Sequence, residues 1–307
     1  MIRFCKQLFS ENLPAALALL VLFLFLAMAL GTEIYGAYCD YSGTVPLYNA
    51  GDIARKFQPP SPAHWCGTDY LGRDVLLRAV AGSATAVKVG AIASLIAVVI
   101  GAVAGLLAGF FGGKLDDCIV WLYSTFAAMP TLLFILAFAL LFNRNFLSPE
   151  LMQAAETLAS LLRAEPGMLA VYLAIGLTCW VTLCRVVRAE TMKLKTFPYV
   201  LAARVSGQRE WVILFRHLLP NVFHLIIIYF TLTFASAVMS EVIVSYLGVG
   251  VQNAPSWGVM ISDGQDRLWR GIWWEVAAAT GFLFALVLSL NILGDYLRDK
   301  LDPRNRR

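Results

Sequence analysis

Phe197-Pro198-Tyr199-Val200-Leu201-Ala202-Ala203-Arg204-Val205-Ser206-Gly207 stands between two long apolar runs, and its reading decides what kind of molecule the chain forms. Proline suits the first position of a helix, where its missing N–H would have no intrahelical partner, and glycine ends a helix readily. The stretch therefore predicts a short helix beginning near Pro198 and broken at Gly207. A second is expected from Trp211 to Leu218, leading through Leu219-Pro220-Asn221 into the next apolar run. Around both lie Arg185, Arg188, Lys193, Lys195, Arg204, Arg209 and Arg216 against Glu190 and Glu210, the densest positive charge in the chain. Small Ala202 and Ala203 sit beside large Tyr199 and Leu201 on a helix that lipid does not need. Such a helix, projecting from the membrane, is a knob for a partner's groove.

Around this segment the chain is built for lipid. Of its 307 residues, 59% are hydrophobic and 14% charged, with a mean hydropathy of +0.71; soluble domains carry about a quarter charged residues. The net charge of +4 could mark a nucleic-acid binder, but the basic residues fill the gaps between apolar runs instead of one soluble face. Lipid is the expected partner and nucleic acid is not. A helix needs about 20 apolar residues to cross a bilayer core of about 30 Å. Six runs qualify: Leu13 to Gly31, Val89 to Gly112, Cys118 to Phe142, Met168 to Cys184, Val222 to Ser240 and Ile272 to Gly294. They predict an all-α polytopic membrane protein of six transmembrane helices. The first run follows Arg3 and Lys6 like a signal peptide, yet it is too long and lacks a small-residue cleavage site, so a retained span is expected. With both termini cytoplasmic, inside segments hold 15 of the 24 Lys and Arg and 8 of the 20 Asp and Glu. The positive-inside rule favours that orientation. Three regions follow: 1–86 with the first span and a long outside loop, a core of five spans over 87–294 with the loop 188–221, and a cytoplasmic tail over 295–307.

Between the spans, His64 to Arg78 is expected as a solvated surface helix, with Asp69 facing Arg73 and Asp74 facing Arg78 at i,i+4. Gly101, Gly105, Gly109 and Gly113 recur at every fourth position and predict a ridge that lets another helix approach closely. Ser148-Pro149-Glu150 starts and Glu165-Pro166-Gly167 stops a short outside helix whose apolar face holds Leu151, Ala155, Leu158 and Leu162. Glu241 and Glu275, at the outer ends of spans five and six, are expected in the solvated interface. Trp257, Trp269, Trp273 and Trp274 fit an aromatic belt. Cys39 and Cys66 share the first outside loop, where an oxidising compartment permits a bridge and free thiols are equally open. His64 and His217 lack H-E-x-x-H spacing or a cysteine pair, so no metal is expected.

The stretch Tyr199 to Asn221 resembles the EAA loop of ABC importer permeases: Gly207 follows Ala203 after three residues, and Leu218-Leu219-Pro220 fills the far end. Gly67-Thr68-Asp69 with Leu71 to Leu76 and Arg78, Glu241 with Ser245 to Val251 and Pro255-Ser256-Trp257-Gly258, and Asn291 to Asp295 with Asp302-Pro303-Arg304 resemble segments of the dipeptide, oligopeptide and nickel permeases. The subunit type resembled is the one with a long first periplasmic loop. The resemblance implies a type I ABC permease architecture in the bacterial inner membrane. It implies half of a pathway for peptides or a peptide-like solute, with nickel or another metal chelate as the alternative cargo. Its implied partners are a second homologous permease, two ATPase subunits and a periplasmic solute-binding protein. Tyr199, Leu201, Ala202, Ala203, Gly207, Leu219 and Pro220 would form the ATPase-docking loop, although Leu201 stands where the pattern usually opens with an acid. Glu241, Pro255 and Trp257, in the stretch from Asn253, would form an outer gate or a contact for the binding protein. The chain would be no enzyme and bind no cofactor. ATP and Mg2+ would be used by the partner ATPases, since Gly113-Lys114 is followed by Leu115 and no phosphate-cradling loop is present. An ion-coupled secondary transporter would want ionisable residues near the midplane and internal repeats. A membrane enzyme would want convergent His, Asp or Ser groups at one depth.

Overall fold

The computed structural model describes residues 12–143, 153, 157, 166–250 and 254–301. Apart from residues 153 and 157, the outside helix expected from Ser148 to Glu165 lies outside these residues, as do the Asn253 end of the outer segment and the tail beyond Leu301. The long helices are α1 (Leu13–Ser42), α2 (Val75–Phe111), α5 (Pro166–Leu194), α8 (Leu219–Tyr246) and α10 (Trp274–Leu301). Between them come α3 (Gly113–Ala128), α4 (Thr131–Asn143), α6 (Pro198–Val205), α7 (Glu210–Ile213) and α9 (Trp257–Gln265). No strand is present among the described residues. Among the described residues five helices are long and apolar enough to cross a membrane, and the α3–α4 pair makes a bent sixth candidate.

The third span differs from the straight one expected. It is bent by 91° between α3 and α4, because Pro130 has no N–H for the ladder and pushes the preceding residue out of the helical region. Met129 accordingly takes φ −89° and ψ 137°. Every other span is longer than its apolar run. At the start of α2, Asp74 is the N-cap, its carboxylate accepting from the Leu77 N–H at 3.0 Å, so this helix begins fourteen residues before Val89. At its other end α1 closes on Gly43 in the left-handed region, φ 64°. Helix α5 runs on to Leu194, so Arg185, Arg188, Glu190 and Lys193 lie on a helix and the loop proper is shorter than expected.

The most extensive contact is between α2 and α5. A Cβ on Gly101 would lie 2.8 Å from the Trp180 carbonyl, one on Gly105 2.7 Å from that of Cys184, and one on Gly109 2.6 Å from that of Arg188. The three glycines are the ridge along which α5 lies. Gly113 is not part of it: a Cβ there would meet nothing within 4 Å, and its φ of +57° makes it a turn residue with Gly112. Gly176 answers from α5, facing Ile96 and the Ala93 carbonyl.

Cys39 and Cys66 are free thiols, and burial pushes the Cys66 thiol above its usual range. Alkylation with a maleimide in denaturing, non-reducing conditions should modify both. A species resistant until reduction would contradict this placement.

Candidate functional site

Two regions at opposite ends of the bundle bring the singled-out residues together. At the first, the short helix α6 starts on Pro198 and ends before Gly207, whose φ is +75°, as the sequence predicts. It is amphipathic across its narrow axis. Val200 and Ala203 are buried in a cluster with Val187, Leu194, Ile213, Leu214, Leu218 and Val222. Tyr199, Leu201, Ala202 and Val205 point away, Leu201 48% and Val205 89% exposed. Burial on the near side nonetheless raises the Tyr199 phenol above its usual range. Trp211 and Phe215, stacked at 6.2 Å, extend this apolar surface, and Trp211 meets Phe111 edge-on at 5.5 Å.

Several polar contacts brace the helix. Arg204 reaches Glu210 at 3.3 Å, His217 Nε2 lies 3.0 Å from Gln208 Oε1, and Lys195 Nζ donates to the Gly109 carbonyl at 2.9 Å. Deeper in, Arg188 donates from two nitrogens to both oxygens of Asp116 at 2.5 and 2.6 Å, tying α5 to the first turn of α3. This paired fork holds the geometry of the carboxylate as well as its charge. From α7 the backbone passes through one π-helical turn, Leu214–Leu218, directly into α8. Leu219 and Pro220 are thus the first turn of a span instead of a separate linker, and motion of α6 and α7 has a helical path into α8.

The other end departs further from expectation. His64 to Asp74 is an irregular loop instead of a surface helix. Asp69 is buried: Oδ1 accepts from the N–H groups of Leu71 and Arg73 at 2.8 and 2.9 Å, and Oδ2 accepts from Arg73 Nε at 2.6 Å. Arg78 stands 4.0 Å from the same oxygen, while Asp74 pairs with His64 at 2.8 Å instead of with Arg78. The solvated reading was wrong because the loop folds back onto the bundle. Thr68 supplies its carbonyl to Trp274 Nε1 at 3.1 Å, and its hydroxyl donates to the Arg55 carbonyl at 2.5 Å.

Glu241 and Glu275 are each only 1% exposed, which overturns their interfacial placement. Helix α8 continues past Ser240, so Glu241 lies inside, accepting from the hydroxyls of Ser245 at 2.7 Å and Ser256 at 2.8 Å. Glu275 accepts from Arg267 at 3.1 Å. Nearby on α9, burial pushes the Asp263 carboxyl up, against the pull of Arg267, Arg78 and Arg73. Pro255 and Trp257 are also inside. The Pro255 carbonyl accepts from Thr85 at 2.7 Å, and Trp257, 1% exposed, donates from Nε1 to the Ala79 carbonyl at 2.8 Å. The belt reading fits exposed Trp269 and Trp273 but not Trp257 or Trp274. Glu241, Pro255 and Trp257 are therefore brought together, as an internal clasp between α8, α9 and α2 with no outward surface of their own. Ser245 and Ser256 were quoted with Glu241 as part of the resemblance but given no role, and Thr85 was not singled out. Ser245, one helical turn after Glu241, and Ser256, inside the quoted Pro255 to Gly258 segment, carried a signal; Thr85 carried none.

A bundle of spans with a braced apolar helix at one end and a buried polar lattice at the other has the build of a multi-pass membrane protein. Residues 101–307 match the model of the binding-protein-dependent transport system inner membrane component family. Over 301 residues the chain is 32% identical to the oligopeptide transport system permease protein OppC of Bacillus subtilis (strain 168), covering 97% of this chain and 88% of that one. It is 32% identical over 304 residues to OppC of Escherichia coli (strain K12), covering 98% and 90%. It is 29% identical over 302 residues to the glutathione transport system permease protein GsiD of Pectobacterium atrosepticum, covering 98% and 90%. The chain belongs to this family of binding-protein-dependent inner-membrane components, the ABC importer permeases, and is a multi-pass inner-membrane protein. Membership sets aside the ion-coupled and enzymatic alternatives.

Proposed function

We propose that the chain forms half of the pathway of an ATP-driven importer for peptides. Relatives of similar length are named for oligopeptide, dipeptide and glutathione transport, which supports a peptide over a metal chelate. A second, homologous permease completes the pathway, a periplasmic binding protein delivers the solute, and two ATPase subunits use ATP and Mg2+. The basic loop and both termini face the cytoplasm, in keeping with the charge count. In the division into 1–86 with the first span and periplasmic loop, the core 87–294 and the tail 295–307, both boundaries fall inside helices, α2 and α10, so the regions are continuous in structure.

The observation that carries the docking role is α6 itself. A protein gains nothing by holding Leu201 and Val205 out into water on a helix whose other face is packed, unless another surface covers them. ATP-driven approach of the ATPases would push α6, and α7 with its π turn would pass the displacement into α8. Leu201 gives this chain an apolar contact where an acid is usual, so its ATPases should offer an apolar groove there.

The paired change Leu201→Asp with Val205→Asp tests this. Burying two unpaired carboxylates in the joint should weaken ATPase retention about a hundredfold or more, while insertion and yield hold because neither side chain is in the core. Co-purification of the ATPases at wild-type stoichiometry would remove α6 as the docking element.

A further inference from the structure

Between α5, α8 and the start of α4 lies a cavity of ≈ 380 Å³ lined, among the described residues, by Thr131, Thr178, Thr182, Thr233, Ser236 and Ser240 together with Cys179, Tyr229 and Leu232, none of them charged. Its size is at the small end of ligand pockets, about 300–1,000 Å³. On α8, residues 229, 233, 236 and 240 follow the i, i+4, i+7, i+11 spacing of a single helical face. On α5, residues 178 and 182 are one turn apart.

Thr191 on α5 is also without a partner among the described residues, so what separates these hydroxyls from others in the spans is that they gather around one cavity. Thr32, Ser94, Thr125 and Ser289 each turn back to donate to the carbonyl four residues earlier, and Thr231, elsewhere on α8, donates to Ile228. Back-bonding of this kind satisfies a hydroxyl that has no water. Thr178 does the same with Ala174. Thr182, Thr233, Ser236 and Ser240 make no such bond and no other intramolecular hydrogen bond among the described residues. A row of uncommitted hydroxyls facing hydrocarbon would cost free energy at each position. Facing water and a passing solute, they cost nothing.

We infer that this hydroxyl-lined cavity is the chain's share of the solute path and that it binds the backbone of a peptide. The inference rests on the importer reading above and names the chemistry by which that pathway holds its cargo. A peptide offers one N–H donor and one carbonyl acceptor per residue whatever its sequence, and a hydroxyl serves either. Hydroxyls thus recognise the backbone without choosing side chains. The described lining carries no charge that would trap an ionic side chain or terminus, as passage requires binding weak enough to release.

The first test needs no knowledge of the cargo. In the assembled importer, with the six native cysteines replaced, Ser236→Cys should react with a membrane-impermeant methanethiosulfonate at least about tenfold faster than Phe284→Cys, an exposed apolar position on α10. Reaction of Ser236→Cys only with a lipid-soluble maleimide, at the Phe284→Cys rate, would place the hydroxyls in lipid and overturn the inference. In the second test, Thr182→Val with Ser236→Ala should lower uptake of radiolabelled tri-alanine about tenfold with ATPase co-purification retained, the scale of losing two ordinary hydrogen bonds. Unaltered uptake in that variant would also overturn it. A wild-type importer that ignores tri-alanine would instead count against the peptide cargo, and the labelling result would still decide whether the cavity is a water-filled path.

Discussion

Gly105→Leu should leave almost no assembled protein to purify. The first atom of the new side chain would lie 2.7 Å from the Cys184 carbonyl, 2.9 Å from Val187 Cβ and 3.1 Å from the Arg188 nitrogen. Two of the three are backbone atoms of α5, which cannot rotate aside as a flexible side chain would. Helix α5 would have to lift off α2, and with it the neighbouring contacts at Gly101 and Gly109. In lipid no hydrophobic effect pulls two apolar helices together, so close packing is the main source of their attraction. Overpacking typically costs about 1–3 kcal/mol and sometimes more; along the chain's most extensive helix contact the upper end is expected. The check is monodisperse yield after detergent extraction, with thermal unfolding of whatever survives. Gly105→Ala should show a smaller loss of the same kind. Gly281→Leu is the control, since a Cβ at Gly281 meets nothing within 4 Å. Equal yields for Gly105→Leu and Gly281→Leu would show that the glycine row is not the seam between α2 and α5.

That seam was legible because a four-residue glycine period has few other meanings on a helix. The same spacing misled at Gly113, where the helix has already ended at Gly112 and periodicity no longer places a residue on a face. The short helix α6 was legible from its two ends, since Pro198 and Gly207 each act through their own backbone and need no tertiary partner. Span lengths were not. A charged residue ends an apolar run on paper, but it does not end a helix when its partner arrives from elsewhere. Lys88 continues α2 because Glu33 on α1 meets it at 2.7 Å, and Arg188 continues α5 because Asp116 meets it from 72 residues away. Glu241 and Glu275 were misplaced for the same reason, their partners Ser256 and Arg267 lying 15 and 8 residues off. Long-range pairing of polar groups is the property that a single sequence hides most thoroughly, and the buried polar lattice around Asp69, Glu241 and Glu275 is made of it. The hydroxyl cavity was hidden differently. Its residues are common in transmembrane helices, and only their meeting around one cavity without back-bonds sets Thr182, Thr233, Ser236 and Ser240 apart.

Trp257→Ala should destabilise this end of the bundle, where α9 packs on α2, by about 3–5 kcal/mol, the range for removing a large buried aromatic side chain. The indole fills a place that the rest of the chain is shaped around. Gly82 has no side chain where Trp257 Cδ1 and Nε1 would stand 2.8 Å from a Cβ, and Phe25 meets the ring edge-on at 6.0 Å from α1. Phe282 of α10 lies 6.3 Å away on another side. One side chain on the short helix α9 therefore touches α1, α2 and α10. Trp257→Phe separates shape from hydrogen bonding. It keeps most of the ring but removes the Nε1–H that the Ala79 carbonyl accepts, a loss of about 1–3 kcal/mol. The expected order of unfolding temperature is wild type, then Phe, then Ala, measured on detergent-solubilised protein. Because the clasp holds α9 to α2 without facing outward, weakening it should lower solute uptake through loss of that folded end. Binding-protein association should then fall no further than the folded fraction does. A Trp257→Ala protein with wild-type unfolding temperature but no binding-protein association would reverse that argument and make the indole a contact residue after all.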